Sequence, residues 1–168
     1  ALLALMRHTA ELFDYGHVDE KFYDGHEAVP HLCGTTKGSC VDINVYLLAS
    51  LRAAGIEAGY VFGIFVPEEK RDWANDGHCW VVTRCDGVVE EWDIAHHLKL
   101  GTRDIRPALN PKPGVRLPMS HGMGWNLPQF GVSDLKVLPG PVWLLQDGLA
   151  MEHEATLRLT GYDDLAAA

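Results

Sequence analysis

Hydrophobic positions along the chain switch between helical and strand periodicities. Within residues 1–14 the apolar side chains recur at a spacing that fits one face of a helix. A second helix is predicted from Cys40 to about Ala54, because Gly55 is the residue type that commonly ends a helix in a left-handed cap. Residues 56–66 are rich in β-branched and aromatic side chains, which predicts a mostly buried strand.

A hairpin is predicted next, with strands at 78–85 and 88–93. The Asp86-Gly87 pair between them is a strong signal for a two-residue turn. Such a turn sets Trp80 opposite Asp93, so that His78 and Asp93 become diagonal neighbours on one face of the hairpin. Their backbones would lie roughly 7–8 Å apart, within reach of an imidazole and a carboxylate. A bulged turn would shift this register by one residue.

The other carboxylates of the second strand are weaker partners for His78 in this register. Glu91 is expected on the face opposite His78, which leaves Asp93 as the best candidate.

The rest of the chain carries weaker signals. Residues 15–38 are rich in Gly, Asp, His and Pro, which predicts irregular structure. Residues 106–131 hold five of the nine prolines and several glycines, which predicts a long ordered loop. Residues 67–77 are polar and predict a loop or a short helix. A strand is predicted at 141–145, and the tail over 152–165 is expected to be partly helical.

Composition indicates one soluble domain over residues 1–168. Asp and Glu outnumber Lys and Arg by 23 to 14, for a net charge of −9, which argues against nucleic acid or an anionic membrane as partner. Four cysteines could form disulfides in a secreted protein, but a chain of this size does not need them. Free thiols and a cytoplasmic location are therefore expected. The sequence gives no oligomeric state.

Cys40 is the strongest candidate for chemistry. Ser39 and Asp42 around it resemble a capping box, which would set Cys40 in the first turn of its helix. A free thiol has a pKa of about 8.5, and the positive end of a helix lowers that pKa. The backbone N–H of Cys40 could hold a developing oxyanion, and Gly38 would let substrate approach closely. The alternative is a buried cysteine that acts as a small apolar residue.

Cys40, His78 and Asp93 are the residue types of a thiol nucleophile, a general base and a carboxylate that orients the base. Taken without Cys40, His78 and Asp93 could equally be an ordinary pair at the edge of a sheet.

Four segments together resemble the transglutaminase-like superfamily. They are Gly38-Ser39-Cys40, then "LASLRAAGIEA" over 48–58, then "GHCWVV" over 77–82, and Trp92-Asp93. The resemblance covers about residues 38–98, with a helical lead-in at 1–37 and a loop and strand extension at 99–168. The chain has Ile94 where proline commonly follows the aspartate.

The resemblance implies an α+β, papain-like core, in which the helix that carries the nucleophile packs on an antiparallel sheet. It implies that Cys40 attacks a peptide or amide carbonyl to form a thioester, that His78 is general base and acid, and that Asp93 orients His78. Hydrolysis of a peptide or protein substrate is the expected reaction, without a cofactor. Transglutamination and a binding module without turnover are the alternatives.

The cysteines, histidines and tryptophans outside the triad suggest other roles. A zinc site is not expected, because the cysteines and histidines do not form the well-spaced ligand pairs typical of one. Trp80 shares the face of His78 and is a candidate wall of the cleft. Trp125 is flanked by glycine in the predicted loop and is a candidate flap over the site, although a packed surface loop is the plainer alternative.

Overall fold

The chain has an α+β fold of helices and mainly antiparallel strands. The computed structural model describes residues 1–17, 36–75, 77–107, 111–135, 145–147, 149–151 and 155–167.

Two compact units make up the structure. The first contains Ala1–Val61 and Cys79–Lys112, and the second contains Phe62–His78 and Pro113–Ala168. Two of the three boundaries fall within strands, so that each of these two strands contributes residues to both units.

The first unit begins with a helix that the sequence predicts. Helix α1 spans Leu2–Leu12, and the chain then enters β1 at Phe13–Tyr15. β1 pairs in parallel with β2 at Thr36–Gly38. Residues 18–35 lie outside the described part of the chain, so the irregular structure predicted there is not tested.

Helix α2 spans Cys40–Ala53, close to its predicted bounds. Its start has the predicted capping box, because the Asp42 carboxylate accepts hydrogen bonds from the Ser39 backbone N–H at 2.8 Å and from the Ser39 hydroxyl at 2.7 Å. Gly55 has φ of 74°, as expected of a glycine that ends a helix. The sequence at each end thus determines where α2 begins and stops.

The long central strand β3 spans Glu57–Pro67, and most of its side chains are buried. Strands β5 at Gly77–Cys85 and β6 at Val88–Trp92 form the predicted hairpin, after the short β4 at Trp73–Ala74. A four-stranded sheet has the order β6-β5-β3-β7, in which β7 is Gly114–His121.

The register of the hairpin is confirmed. Val81 lies opposite Trp92, and Cys85 lies opposite Val88. Asp86 and Gly87 have φ of 51° and 80°, the pair of positive angles that a tight hairpin turn with this twist requires.

Two details of the hairpin prediction are wrong. Asp93 does not belong to β6; it caps the helix α3 at Ile94–Lys99, which the sequence pattern did not predict. Glu91 is not on the face opposite His78, because the Trp80 indole N–H donates to the Glu91 carboxylate at 3.0 Å. Trp80 and His78 are two residues apart on one strand and share a face, so Glu91 shares it too. Glu91 is nevertheless exposed, whereas Asp93 is buried.

Helices α1, α2 and α3 contribute to one apolar core with the hairpin. Its fully buried members come from each of these elements: Met6, Ile43, Leu47, Leu51, Val81, Trp92, Ile94 and Ala95. This core holds the start of α2 and the end of β6 within the same packed unit.

The second unit corrects the loop prediction for residues 106–131. That segment contains β7, β8 at Trp125–Leu127 and a 3₁₀ turn at Pro128–Phe130, and β9 at Val132–Leu135 pairs with β8. The prediction of a loop from the prolines is wrong here. Pro118 lies inside β7, and Pro128 is the first residue of the 3₁₀ turn.

Short elements complete the chain. β10 at Leu145–Gln146 pairs with β11 at Leu149–Ala150, and β12 at Leu157–Arg158 pairs with β4. Helix α4 at Tyr162–Ala166 confirms that the tail is partly helical. Most of the strand predicted at 141–145 lies outside the described residues. Among the helices described, none is both long and apolar enough to span a membrane.

Candidate functional site

Cys40 is the first residue of α2 and carries a half-buried thiol. Ser39 precedes it in extended conformation, and the Ser39–Asp42 bonds hold the first turn in place. The thiol therefore stands at the end of the helix where backbone N–H groups have no partner within the helix. Such a position favours a thiolate and a negatively charged oxygen nearby.

A second thiol lies beside Cys40. The Cys79 side chain on β5 lies near Cys40, which raises the pKa of the Cys79 thiol. Asn44, one helical turn after Cys40, donates its side-chain N–H to the Cys79 carbonyl at 2.8 Å and lies 3.5 Å from the Cys79 sulfur. Asn44 thus ties the first turns of α2 to β5 at the residue that follows His78.

Cys79 is itself kept protonated by its surroundings. Burial raises the pKa of the Cys79 thiol well above its usual range, and the neighbouring Cys40 raises it further. Because burial away from solvent destabilises the charged thiolate, Cys79 stays a thiol at neutral pH. Of the two thiols, only Cys40 is partly accessible.

Asp93 occupies a buried position at the start of α3. One carboxylate oxygen accepts the backbone N–H of His96 at 3.0 Å, and the other lies 3.1 Å from His96 Nδ1. Both side chains are at most 5% exposed. The His97 ring donates from Nδ1 to the Asp93 carbonyl at 2.7 Å. Asp93 is therefore a rigidly held buried carboxylate rather than the end of a flexible strand.

His78 is the second residue of β5 and belongs to the second unit. It is 6% exposed, and its ring meets the Phe65 ring edge-on at 6.2 Å between centroids. A peptide bond joins His78 to Cys79, so their Cα atoms are about 3.8 Å apart.

The other site residues predicted from the sequence differ in their burial and in the unit to which they belong. Trp80 is 1% exposed and Gly38 is buried, and both belong to the first unit. Trp125 lies in β8 opposite Leu135 and is half-buried. Their roles toward substrate stay predictions.

Gly38 also has a packing role. A Cβ at this position would lie 3.0 Å from two atoms of the Phe13 ring and 3.1 Å from Asp42 Cβ. We expect Gly38→Ala to lower the free energy of unfolding by about 1–3 kcal/mol, as overpacking of a buried site does. Urea titration of the wild type and the variant measures this cost. A cost well below about 1 kcal/mol would contradict the packing role.

The family model for the transglutaminase-like superfamily matches residues 1–92, more than half of the chain. The chain belongs to the transglutaminase-like superfamily. The match includes Cys40 and His78 and ends one residue before Asp93. No curated protein and no solved structure matched the chain.

Members of the transglutaminase-like superfamily are usually enzymes that use a thiol for acyl transfer or peptide cleavage. Three residues around this chain's candidate site escaped the sequence interpretation: Asn44, Cys79 as a neighbour of Cys40, and His96. Asn44 follows Cys40 by four positions, and His96 follows Asp93 by three. Those are the spacings of a shared helix face and of an N-cap bond, so both signals were present in the sequence.

Proposed function

We propose that the protein hydrolyses a peptide or amide bond through a thioester on Cys40. His78 takes the proton of Cys40 and returns it to the leaving amine, and Asp93 orients His78. Water then attacks the thioester, with His78 as base, and releases the acid. A papain-like arrangement of helix and sheet is part of this proposal.

The observation that carries the proposal is the position of Cys40. Cys40 is the first residue of α2, and its thiol is partly accessible. Asn44 of α2 donates a hydrogen bond to the carbonyl of Cys79 on β5. The residue that precedes Cys79 on this strand is His78. The peptide bond therefore places the backbone of the proposed base next to a residue of β5 that α2 contacts through Asn44.

Asp93 supports the proposal through its burial and its partners. A carboxylate shielded from solvent interacts strongly with an imidazole, since the local dielectric is low. Two bonds to His96, one of which caps α3, hold Asp93 in one orientation. A base-orienting residue needs this rigidity, because the tautomer of the base depends on it.

The nucleophile that attacks the thioester decides between hydrolysis, in which it is water, and transglutamination, in which it is an amine. Hydrolysis is proposed because no sequence motif marks a dedicated site for an amine acceptor. Dimethylated casein and a dansylated primary amine distinguish the two reactions: peptide or ammonia release without incorporated dansyl supports hydrolysis, whereas incorporated dansyl supports transglutamination. A folded protein that gives neither product would indicate a binding module.

Alkylation tests the nucleophile independently of any substrate. At about pH 6 we expect iodoacetamide to modify Cys40 faster than the other three cysteines, because a helix N-terminus favours the thiolate. Cys79 should resist alkylation even above pH 9, since burial raises its pKa and blocks access. Peptide mass spectrometry after timed reaction measures each rate. Equal rates for Cys40 and Cys85 at about pH 6 would contradict an activated Cys40.

A further inference from the structure

The end of β6 leaves a backbone carbonyl of β5 without a partner on that strand. In an antiparallel hairpin, hydrogen-bonded pairs alternate with non-hydrogen-bonded pairs, and the residues that flank a two-residue turn form a hydrogen-bonded pair. Cys85 and Val88 flank the turn, so every second residue back along β5 directs its backbone N–H and C=O toward β6. Cys79 is one of these residues, but β6 ends at Trp92, opposite Val81. The Cys79 carbonyl therefore faces a place where the chain has already left β6 for α3.

Asn44 of α2 supplies the missing hydrogen-bond donor. Its side-chain N–H donates to the Cys79 carbonyl at 2.8 Å, and both residues are at most 1% exposed. Asn44 lies one helical turn after Cys40, and His78 directly precedes Cys79. One buried hydrogen bond therefore joins the first turns of the helix that carries the proposed nucleophile to the strand that carries the proposed base.

Burial of the Asn44 amide also has a cost in stability. Its Oδ1 atom is shielded from solvent and accepts no hydrogen bond from the part of the chain that the structure describes. A buried acceptor without a donor destabilises the folded state, and an apolar side chain would avoid that cost. The side-chain N–H is thus the part of Asn44 that accounts for an amide at this position.

We propose that Asn44 is a positioning residue, which holds the start of β5 against the first turns of α2 and thereby aligns His78 with Cys40. The role deepens the proposed function and rests on it, because alignment matters only if these two residues react together. On the side of β6, Asn44 replaces the strand that has ended. A displacement of about 1 Å between reacting groups can lower a rate by about 10²-fold.

Asn44→Leu removes the N–H and keeps a side chain of similar volume. We expect kcat for casein to fall by about 10–100-fold and KM to stay within about threefold, because Asn44 is buried and aligns reacting groups rather than binding substrate. Ile43→Val is the matched control, since Ile43 is the preceding residue of α2 and is fully buried in the apolar core. It should lower the urea midpoint and leave kcat within about twofold.

Asn44→Asp tests the donated hydrogen bond itself. Burial raises the pKa of the introduced carboxyl, so that near pH 6 it is protonated and can donate its O–H to the Cys79 carbonyl. As the pH rises through that pKa, the proton and the hydrogen bond are lost. The ratio of its kcat to the wild-type kcat should therefore be within about fivefold of one near pH 6 and approach that of Asn44→Leu near about pH 9.

The pH dependence of Asn44→Asp also decides the matter if Asn44→Leu fails to fold. Circular dichroism at each pH shows whether the protein that is assayed is folded. A kcat ratio that stays constant from about pH 6 to about pH 9 in folded Asn44→Asp overturns the positioning role.

Hydrogen–deuterium exchange measures the attachment of β5 without a substrate. Overlapping peptic peptides resolve the backbone amides of residues 77–81. These amides should exchange faster in Asn44→Leu than in the wild type or in Ile43→Val, because the start of β5 then opens more often.

Alkylation with iodoacetamide at about pH 6 measures the alignment at Cys40, also without a substrate. Trypsin releases Cys40 in peptide 38–52 and Cys85 in peptide 85–99, so the two rates are read separately. We expect slower modification of Cys40 in Asn44→Leu, because a displaced His78 favours the thiolate less. The rate at Cys85 should not change.

The outcomes separate this inference from the proposed function. A folded Asn44→Leu protein with wild-type kcat overturns the positioning role and leaves the hydrolase standing. A fall in kcat with unchanged exchange at 77–81, or an equal fall in Ile43→Val, assigns Asn44 to stability alone and overturns the role equally. If the wild type turns over no casein, the hydrolase is overturned, whereas faster exchange at 77–81 with slower alkylation of Cys40 in Asn44→Leu still supports the positioning role.

Discussion

Replacing Cys40 with alanine is expected to abolish turnover of casein, with a fall in rate of about 10⁴-fold or more. The reason is that no other group of the site can form the thioester. Cys40 is half-buried at the start of α2, so removal of its sulfur leaves only a small void and the fold should persist. Initial rates of peptide release and the urea midpoint of both proteins measure the two effects.

The control for Cys40→Ala is Cys85→Ala, which removes a thiol beside the hairpin turn. Turnover by the control should equal that of the wild type. If Cys40→Ala retains more than a small fraction of wild-type activity while folded, Cys40 is not the nucleophile.

Asp93→Asn is expected to separate catalysis from stability. Asparagine caps a helix as well as aspartate does, so the bond to the His96 N–H should persist. The new amide N–H can donate to His96 Nδ1 in its other tautomer. We therefore expect a change in the free energy of unfolding below about 1 kcal/mol. The rate of hydrolysis should nevertheless fall by about 10³–10⁴-fold, because the neutral amide cannot stabilise an imidazolium on His78.

Asp93→Ala is the matched variant for that experiment. It removes the cap and leaves the buried His96 Nδ1 without its partner, so we expect a loss of about 2–4 kcal/mol in the free energy of unfolding. Its rate should be no higher than that of Asp93→Asn. Full activity in a stable Asp93→Asn protein would assign Asp93 to the cap of α3 alone.

Local sequence signals predicted the elements that position Cys40. The Ser39–Asp42 box and Gly55 mark both ends of α2, because caps act through the nearest few residues. The Asp86-Gly87 turn likewise set the hairpin register, which the pairs from Val81–Trp92 to Cys85–Val88 confirm. Turn geometry is short-range, so one sequence contains enough information to derive it.

The missed features depend on contacts that are distant in sequence. Asn44 and Cys79 are 35 residues apart, and nothing in the pattern around either one indicates the other. Helix α3 was missed because it is short and follows directly on β6, so the apolar residues around Trp92 were interpreted as one strand. β7 was missed because residues 106–131 are rich in proline, which has a low strand propensity. Strand propensity is a weak guide where pairing with a distant strand determines the structure.

The central claim is that Cys40 carries the acyl group during turnover, and acylation by p-nitrophenyl acetate tests it most directly. Rapid quenching with acid followed by trypsin digestion would show which peptide has gained an acetyl group. We expect a burst of about one p-nitrophenol per chain, with the acetyl group on peptide 38–52 and a slower burst in Asp93→Asn. An acetyl group distributed equally over peptides 38–52 and 85–99, without a burst, would contradict it.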